Sequence, residues 1–154
     1  SNKDYYIKKP TEKSFNDCCN EFWWLAPYIA KGIWRDEIPY AMEFLNKYQK
    51  DMLNRMLSWY IGIDTDFSVS SGKCSKYLKR YLPSNLYAKY ELTYSNANSK
   101  NIWNSVFFSC EIFREAGKKV ADYFSFKYPE EDDRKVTYHL EHVRELPKDA
   151  ETMY

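Results

Sequence analysis

Ser14-Phe15-Asn16-Asp17-Cys18-Cys19-Asn20-Glu21-Phe22-Trp23-Trp24-Leu25-Ala26-Pro27-Tyr28-Ile29-Ala30-Lys31-Gly32 is the stretch that decides the fold. Phe15, Cys18, Phe22, Leu25 and Ile29 recur at steps of three and four, which puts them on one stripe of a helix. Ser14 is a suitable cap for its start and Gly32 for its stop, so the reading is a helix from Ser14 to about Lys31. Pro27 lacks an N–H and is expected to kink it. Glu21, Trp24, Tyr28 and Lys31 fall on a second face, and Trp34, Arg35, Asp36 and Glu37 follow just beyond. Indoles beside carboxylates suit a polar, cationic, ring-shaped ligand. The same rings also suit a core in which each N–H or O–H finds a partner.

The helical period continues outward. Ile38, Ala41, Leu45, Tyr48, Met52, Met56 and Trp59 mark a long helix from about Arg35 to Ile61, with Pro39 in its first turns. Asp36 and Glu37 there also complement the helix dipole. Gly62 to Gly72 reads as a loop. Lys73 to Leu82 reads as a short basic helix ended by Pro83, and Ser84 to Leu92 as another short helix. Asn101 to about Lys127 is long, with Ile102, Val106, Cys110, Phe113, Val120 and Phe124 inward. Glu130 to Glu145 forms a last, charged helix before a loose tail. The expected architecture is all-α, a bundle of five or six helices with no sheet.

Composition bounds the function classes. The 154 residues suffice for one core, and aromatic residues at 19% oppose disorder. A formal net charge of +1 gives no global drive toward nucleic acid or an anionic membrane. The longest apolar run, Phe22 to Ala30, is too short to span a bilayer, and no signal segment opens the chain. Ser1 and Asn2 read as the scar of a cleaved tag, and residues 1–4 as an unstructured start. Cysteines 18, 19, 74 and 110 contain no C-x-x-C pair, which points to reduced thiols in a cytoplasmic protein.

Three constellations invite chemistry. Asp64-Thr65-Asp66 has the D-x-D form that holds Mg²⁺, yet its flanks are helical and no Gly-Ser turn precedes it, so a solvated loop is the better reading. Lys73, Lys76 and Arg80 follow i, i+3, i+7 spacing after Ser70-Ser71-Gly72, which suits either a phosphate or a solvated face. Arg134 and His139 match a loose pattern of helical ribonucleases, where a solvated helix face is the simpler account. The histidines at 139 and 142 are poorly spaced for a closed metal site.

Four segments in order resemble one family. They are Tyr6-Ile7-Lys8-Lys9-Pro10-Thr11, Cys18-Cys19-Asn20-Glu21-Phe22-Trp23-Trp24, Ala30-Lys31-Gly32-x-Trp34-Arg35-x-Glu37 and Gly72-Lys73-x-x-Lys76-Tyr77-Leu78-Lys79-Arg80-Tyr81-Leu82. They are similar to the C-terminal half of aminoglycoside 6-adenylyltransferases, the streptomycin-modifying nucleotidyltransferases of antibiotic resistance. The resemblance covers about Tyr5 to Pro129 and is not clear from Glu130 onward, which divides the chain into 5–129 and 130–154. It implies that an N-terminal nucleotidyltransferase domain carries Gly-Ser and the Mg²⁺-binding aspartates, and that AMP passes from ATP to an aminoglycoside hydroxyl. The helical half then completes the acceptor site, with Glu21, Asp36 and Glu37 for cations and Trp24, Tyr28 and Trp34 for ring faces. Lys73 and Lys76 would reach the nucleotide phosphates. No catalytic metal site is expected in this chain, which alone should bind neither Mg²⁺ nor ATP appreciably and should transfer no AMP. The competing expectation is a stand-alone helical module that partners a separate nucleotidyltransferase.

Overall fold

Helix α1 spans Glu12–Trp34 and forms the spine of the computed structural model, which describes residues 2–154. Its N-cap is Thr11, one turn earlier than the sequence suggests. The Thr11 hydroxyl accepts from the Ser14 amide at 3.0 Å, and the Ser14 hydroxyl accepts from the Thr11 amide at 2.9 Å. This reciprocal box satisfies two amides that would otherwise lack partners at the helix start. At the other end α1 does not stop at Gly32 but runs through it. Gly32 is needed there for close approach: a Cβ would lie 3.0 Å from the Tyr40 ring and 3.2 Å from the Ala41 Cα. Pro27 sits within the same unbroken helix and removes the bond that the Trp23 carbonyl would accept.

The expected second helix is three pieces. Asp36, with φ +55, turns the corner, and α2 covers Ile38–Glu43. A π-helical turn, Phe44–Gln49, follows, and α3 covers Lys50–Thr65. The π turn carries one extra residue, so the inward face advances by one position. Tyr48, placed inside by simple periodicity, is 42% exposed, while Gln49 and Lys50 are buried. Gln49 donates to the Phe22 carbonyl at 3.3 Å and ties the turn to α1.

The expected basic helix over Lys73–Leu82 is also interrupted. Gly72, Cys74 and Ser75 all have positive φ, which a right-handed helix excludes. A 3-10 turn at Lys73–Ser75 and a four-residue helix α4, Leu78–Tyr81, take its place. Lys73 and Lys76 are exposed and share no helical face. Helices α5 (Ser84–Glu91), α6 (Ser99–Phe124) and α7 (Glu130–Arg144) complete the bundle. No strand occurs among the described residues, so the fold is all-α.

The stripe read from the sequence is the core. Phe15, Cys18, Phe22 and Ile29 are fully buried, and Leu25 nearly so. Phe22 stacks on Phe113 of α6 with centroids 3.8 Å apart, and Trp23 meets both rings edge-on. Removing a ring at such a site costs about 3–5 kcal/mol. Helix α3 packs on α6 and α7 packs on α1, burying Leu140 and Val143. Arg114 of α6 grips Asp133 of α7 with two bonds of 2.7 Å, and the Tyr128 hydroxyl donates to the same carboxylate at 2.7 Å. Burial pushes the Asp133 carboxyl up, but these bonds outweigh it and hold it below its usual range. The C-terminal tail folds back. Tyr154 stacks on His142 at 4.2 Å and its hydroxyl lies 2.7 Å from His139 Nδ1.

Candidate functional site: an aromatic groove and a cationic cleft

Two concave regions draw on the residues singled out above. The first lies between α1 and α7, holds about 560 Å³ and is walled by Trp23, Trp24, Pro27 and Tyr28, with Asp132 and Lys135 opposite. Ligand pockets fall in this size range and are mostly apolar with a few polar groups. Trp24 is 64% exposed, and its ring lies 5.9 Å from that of Tyr28. The aromatic surface continues from Tyr28 to Phe44 at 5.6 Å and on to Tyr40 at 4.6 Å. Exposed rings of this size gain more from covering a flat ligand than from facing water. The Trp23 indole N–H is buried and has no protein acceptor, so a donor remains beside the groove.

The sequence-expected residues divide around this groove. Glu21, Trp24 and Tyr28 share one face of α1 by i, i+3, i+7 spacing, and Glu21 is exposed. Trp34 does not join them. It stands ten residues beyond Trp24, about 15 Å along the axis, and lines a different cleft of about 530 Å³ with Trp103, Asn104 and Arg144. Asp36 and Glu37 are exposed at the α1–α2 corner. Trp24 and Trp34 thus line different clefts of this chain. Gly32 is interior to the helix, and no turn folds the second indole back.

The second region is larger, about 910 Å³, and is bounded by residues 5–10, the π turn, α3 and the 71–75 turn. Lys8, Lys9, Lys50 and Arg55 line it, with Asp51 the one carboxylate among its described lining residues. Lys50 is 3% exposed. Its ammonium donates to the Thr93 hydroxyl at 2.5 Å and the Thr93 carbonyl at 3.1 Å, and it lies 3.9 Å from the Tyr94 ring centroid. None of these partners carries a negative charge. Burial therefore pushes the Lys50 ammonium down to about 7. Asn46, also lining the cleft, has a buried amide oxygen without a partner.

Periodicity missed this second region because a helix without the π turn would aim Lys50 elsewhere. No local sign marked it, since Gln49 and Lys50 sit in the polar run Asn46-Lys47-Tyr48-Gln49-Lys50-Asp51. From the basic segment, Ser71, Cys74 and Ser75 line the cleft, while Lys73 and Lys76 do not. Lys76 instead lies over the Tyr77 ring at 5.1 Å.

The remaining constellations resolve as structure. Asp64 pairs with Lys119 at 2.5 Å, and Asp66 is the left-handed residue that ends α3. The D-x-D segment therefore does not fit Mg²⁺. Among the described residues no three His, Cys, Asp or Glu side chains gather as a metal site, and no step through Mg²⁺ is assigned to this chain. Arg134 pairs with Glu131 at 2.9 Å while His139 meets Tyr154, so the two do not act together. No helix among the described residues is long and apolar enough to cross a membrane.

Comparisons with known proteins agree with this architecture. A family model described as streptomycin adenylyltransferase matches residues 1–143, which extends the likeness into α7. An aminoglycoside 6-adenylyltransferase of Bacillus subtilis (strain 168) is 37% identical over 138 residues, 90% of this chain and 49% of the relative. One from Campylobacter jejuni is 38% identical over 135 residues, 88% of this chain and 47% of the relative. The crystal structure of an aminoglycoside 6-adenyltransferase from Bacillus subtilis superposes with a TM-score of 0.84 at 36% identity. That superposition covers 94% of this chain and 55% of the other. The chain thus spans about half the length of the curated relatives it matches.

Proposed function

The chain belongs to the streptomycin adenylyltransferase family, as its C-terminal helical domain, and we propose that it forms the acceptor-binding part of an enzyme that transfers AMP from ATP to an aminoglycoside hydroxyl. The observation that carries this is the exposed Trp24–Tyr28 wall with Glu21 on the same helix face and Asp132 across the groove. Aromatic faces stack on guanidinium planes and sugar rings, and carboxylates pair cationic groups. Asp36 and Glu37 then act as outer carboxylates at the corner, and Trp34 serves a separate part of the surface. Lys73 and Lys76 are outer contacts for the nucleotide phosphates rather than groups inside a site.

The nucleotidyltransferase half would supply Mg²⁺ and the reacting geometry. The chain alone is therefore expected to yield no AMP-streptomycin when given Mg²⁺ and ATP. The working location is the cytoplasm, where ATP is available. The test joins this chain to a nucleotidyltransferase half and measures both Michaelis constants. Trp24→Ala and Glu21→Gln should raise the acceptor KM while leaving the ATP KM within about twofold. Equal effects on both constants, in folded protein, would overturn the acceptor assignment.

A further inference from the structure

We infer that the cleft beneath the 71–75 turn is a polyphosphate-binding site whose interior contacts are Lys50 and Arg55, with Lys8 and Lys9 at its N-terminal wall. Nothing in the aromatic groove requires this site, and it rests on the adenylyl-transfer reading only for the identity of the polyphosphate as that of a nucleotide or of released pyrophosphate.

Four cations and one carboxylate line a space of about 910 Å³, large enough for a triphosphate. Surface lysines scatter by chance, but Lys50 is not at the surface. It is 3% exposed, donates to two neutral oxygens and has no ion pair among the described residues. Burying an ammonium in this way is unfavourable unless an anion arrives to compensate it. Arg55 lines the same cleft, is exposed and likewise makes no ion pair among the described residues. A guanidinium free to fork onto phosphate oxygens then stands five residues, about one and a half turns, further along α3.

Local structure supports a built site. The π turn at Phe44–Gln49 turns Lys50 inward, and such turns are frequent at functional sites because they cost helix regularity. Ser71 and Ser75 bring hydroxyls to the opposite wall, on a turn held by Gly72 at φ +78. A polyphosphate presents many acceptor oxygens and several charges, which suits ammonium, guanidinium and hydroxyl donors together. A cationic aminoglycoside would be repelled here and favoured at the aromatic groove, so the two ligand classes are sorted by charge.

The test is calorimetric titration of the full chain with tripolyphosphate, ATP, adenosine and inorganic phosphate, in buffers free of phosphate and sulfate. The expected result, against the sequence-based expectation that the chain alone binds no ATP appreciably, is saturable one-to-one binding of tripolyphosphate and ATP, and none of adenosine. Tripolyphosphate binding as strong as ATP would identify the chain of phosphates as the recognised group. ATP binding well above it would add a base contact to the same site. Arg55→Gln and Lys50→Met should each weaken binding roughly tenfold or more. Lys100→Gln, on the separate cleft that Trp34 lines, should change nothing. Circular dichroism of each variant establishes that it is folded. Equal losses in all three variants, or binding that vanishes at physiological salt, would show surface attraction only and overturn the proposal. Streptomycin titrated in parallel separates the two readings. Loss of its binding with polyphosphate binding intact removes the acceptor assignment and leaves this one standing, and the reverse outcome does the opposite.

Discussion

Replacing Lys50 by Met is expected to stabilise the ligand-free chain at neutral pH. Lys50 is buried, and its ammonium is pushed from the ordinary 10.5 down to about 7 by desolvation. In the unfolded chain it titrates near its ordinary value, so between pH 7 and 10.5 the unfolded state binds more protons. Stability therefore rises with pH across that window, and the full penalty is present below pH 7. Each unit is worth about 1.4 kcal/mol, so the penalty at pH 7 is roughly 5 kcal/mol at most. Methionine fills the same volume without charge but leaves the Thr93 carbonyl without its donor, which costs about 1–3 kcal/mol. The variant should then gain roughly 2–4 kcal/mol at pH 7, read as a shift in urea midpoint. The sharper observable is the difference between wild type and variant, because effects of the buried cysteines cancel in it. From pH 7 to 8.5 that difference should shrink by about 2 kcal/mol. Parallel stability curves over this range would refute the claim that a buried, uncompensated ammonium occupies the cleft.

Other consequences follow from particular contacts. Asp133→Asn removes the charge that Arg114 and Tyr128 share and should cost about 3 kcal/mol in urea unfolding. Because the folded Asp133 carboxyl lies below its usual range, its contribution is present above the unfolded value near 4 and lost as pH falls through the folded one. The variant and wild type should converge in strong acid. Cys74 is the exposed thiol, whereas burial pushes the Cys18 and Cys110 thiols up to about 12 and Cys19 higher still. A thiol reagent should label one cysteine per native chain and four in denaturant, and fast labelling of a second would contradict the packing of α1 and α6. Gly72→Ala places a side chain at φ +78 against Tyr77 and should lower stability by roughly 1–2 kcal/mol. Polyphosphate affinity should fall with it, since the turn carries Ser71 and Ser75.

Much of the fold was legible because most apolar positions obey one period. Phe15, Cys18, Phe22 and Ile29, and Ile102, Val106, Cys110 and Phe113, are buried as their spacing implies. The Glu21–Trp24–Tyr28 face was legible for the same reason, since it is the complement of that stripe. What was hidden breaks the period. The π turn leaves no local mark, so Tyr48 was assigned inward and Lys50 overlooked. Positive φ at Cys74 and Ser75 cannot be inferred from residues that ordinarily avoid it, and so the Lys73–Lys76 face dissolved on folding. Gly32 looked like a stop but serves close helix packing, which is why Trp34 parts from Trp24. Clefts between distant segments, such as 5–10 against α3, depend on tertiary closure that no local pattern records.

The central claim is that the α1 face binds the cationic acceptor, and calorimetric titration of streptomycin into the folded chain tests it most directly. The account predicts saturable one-to-one binding that weakens roughly tenfold or more in Trp24→Ala and in Glu21→Gln, with Trp34→Ala close to wild type. No saturable binding by the folded chain, or equal loss in all three variants, would contradict it.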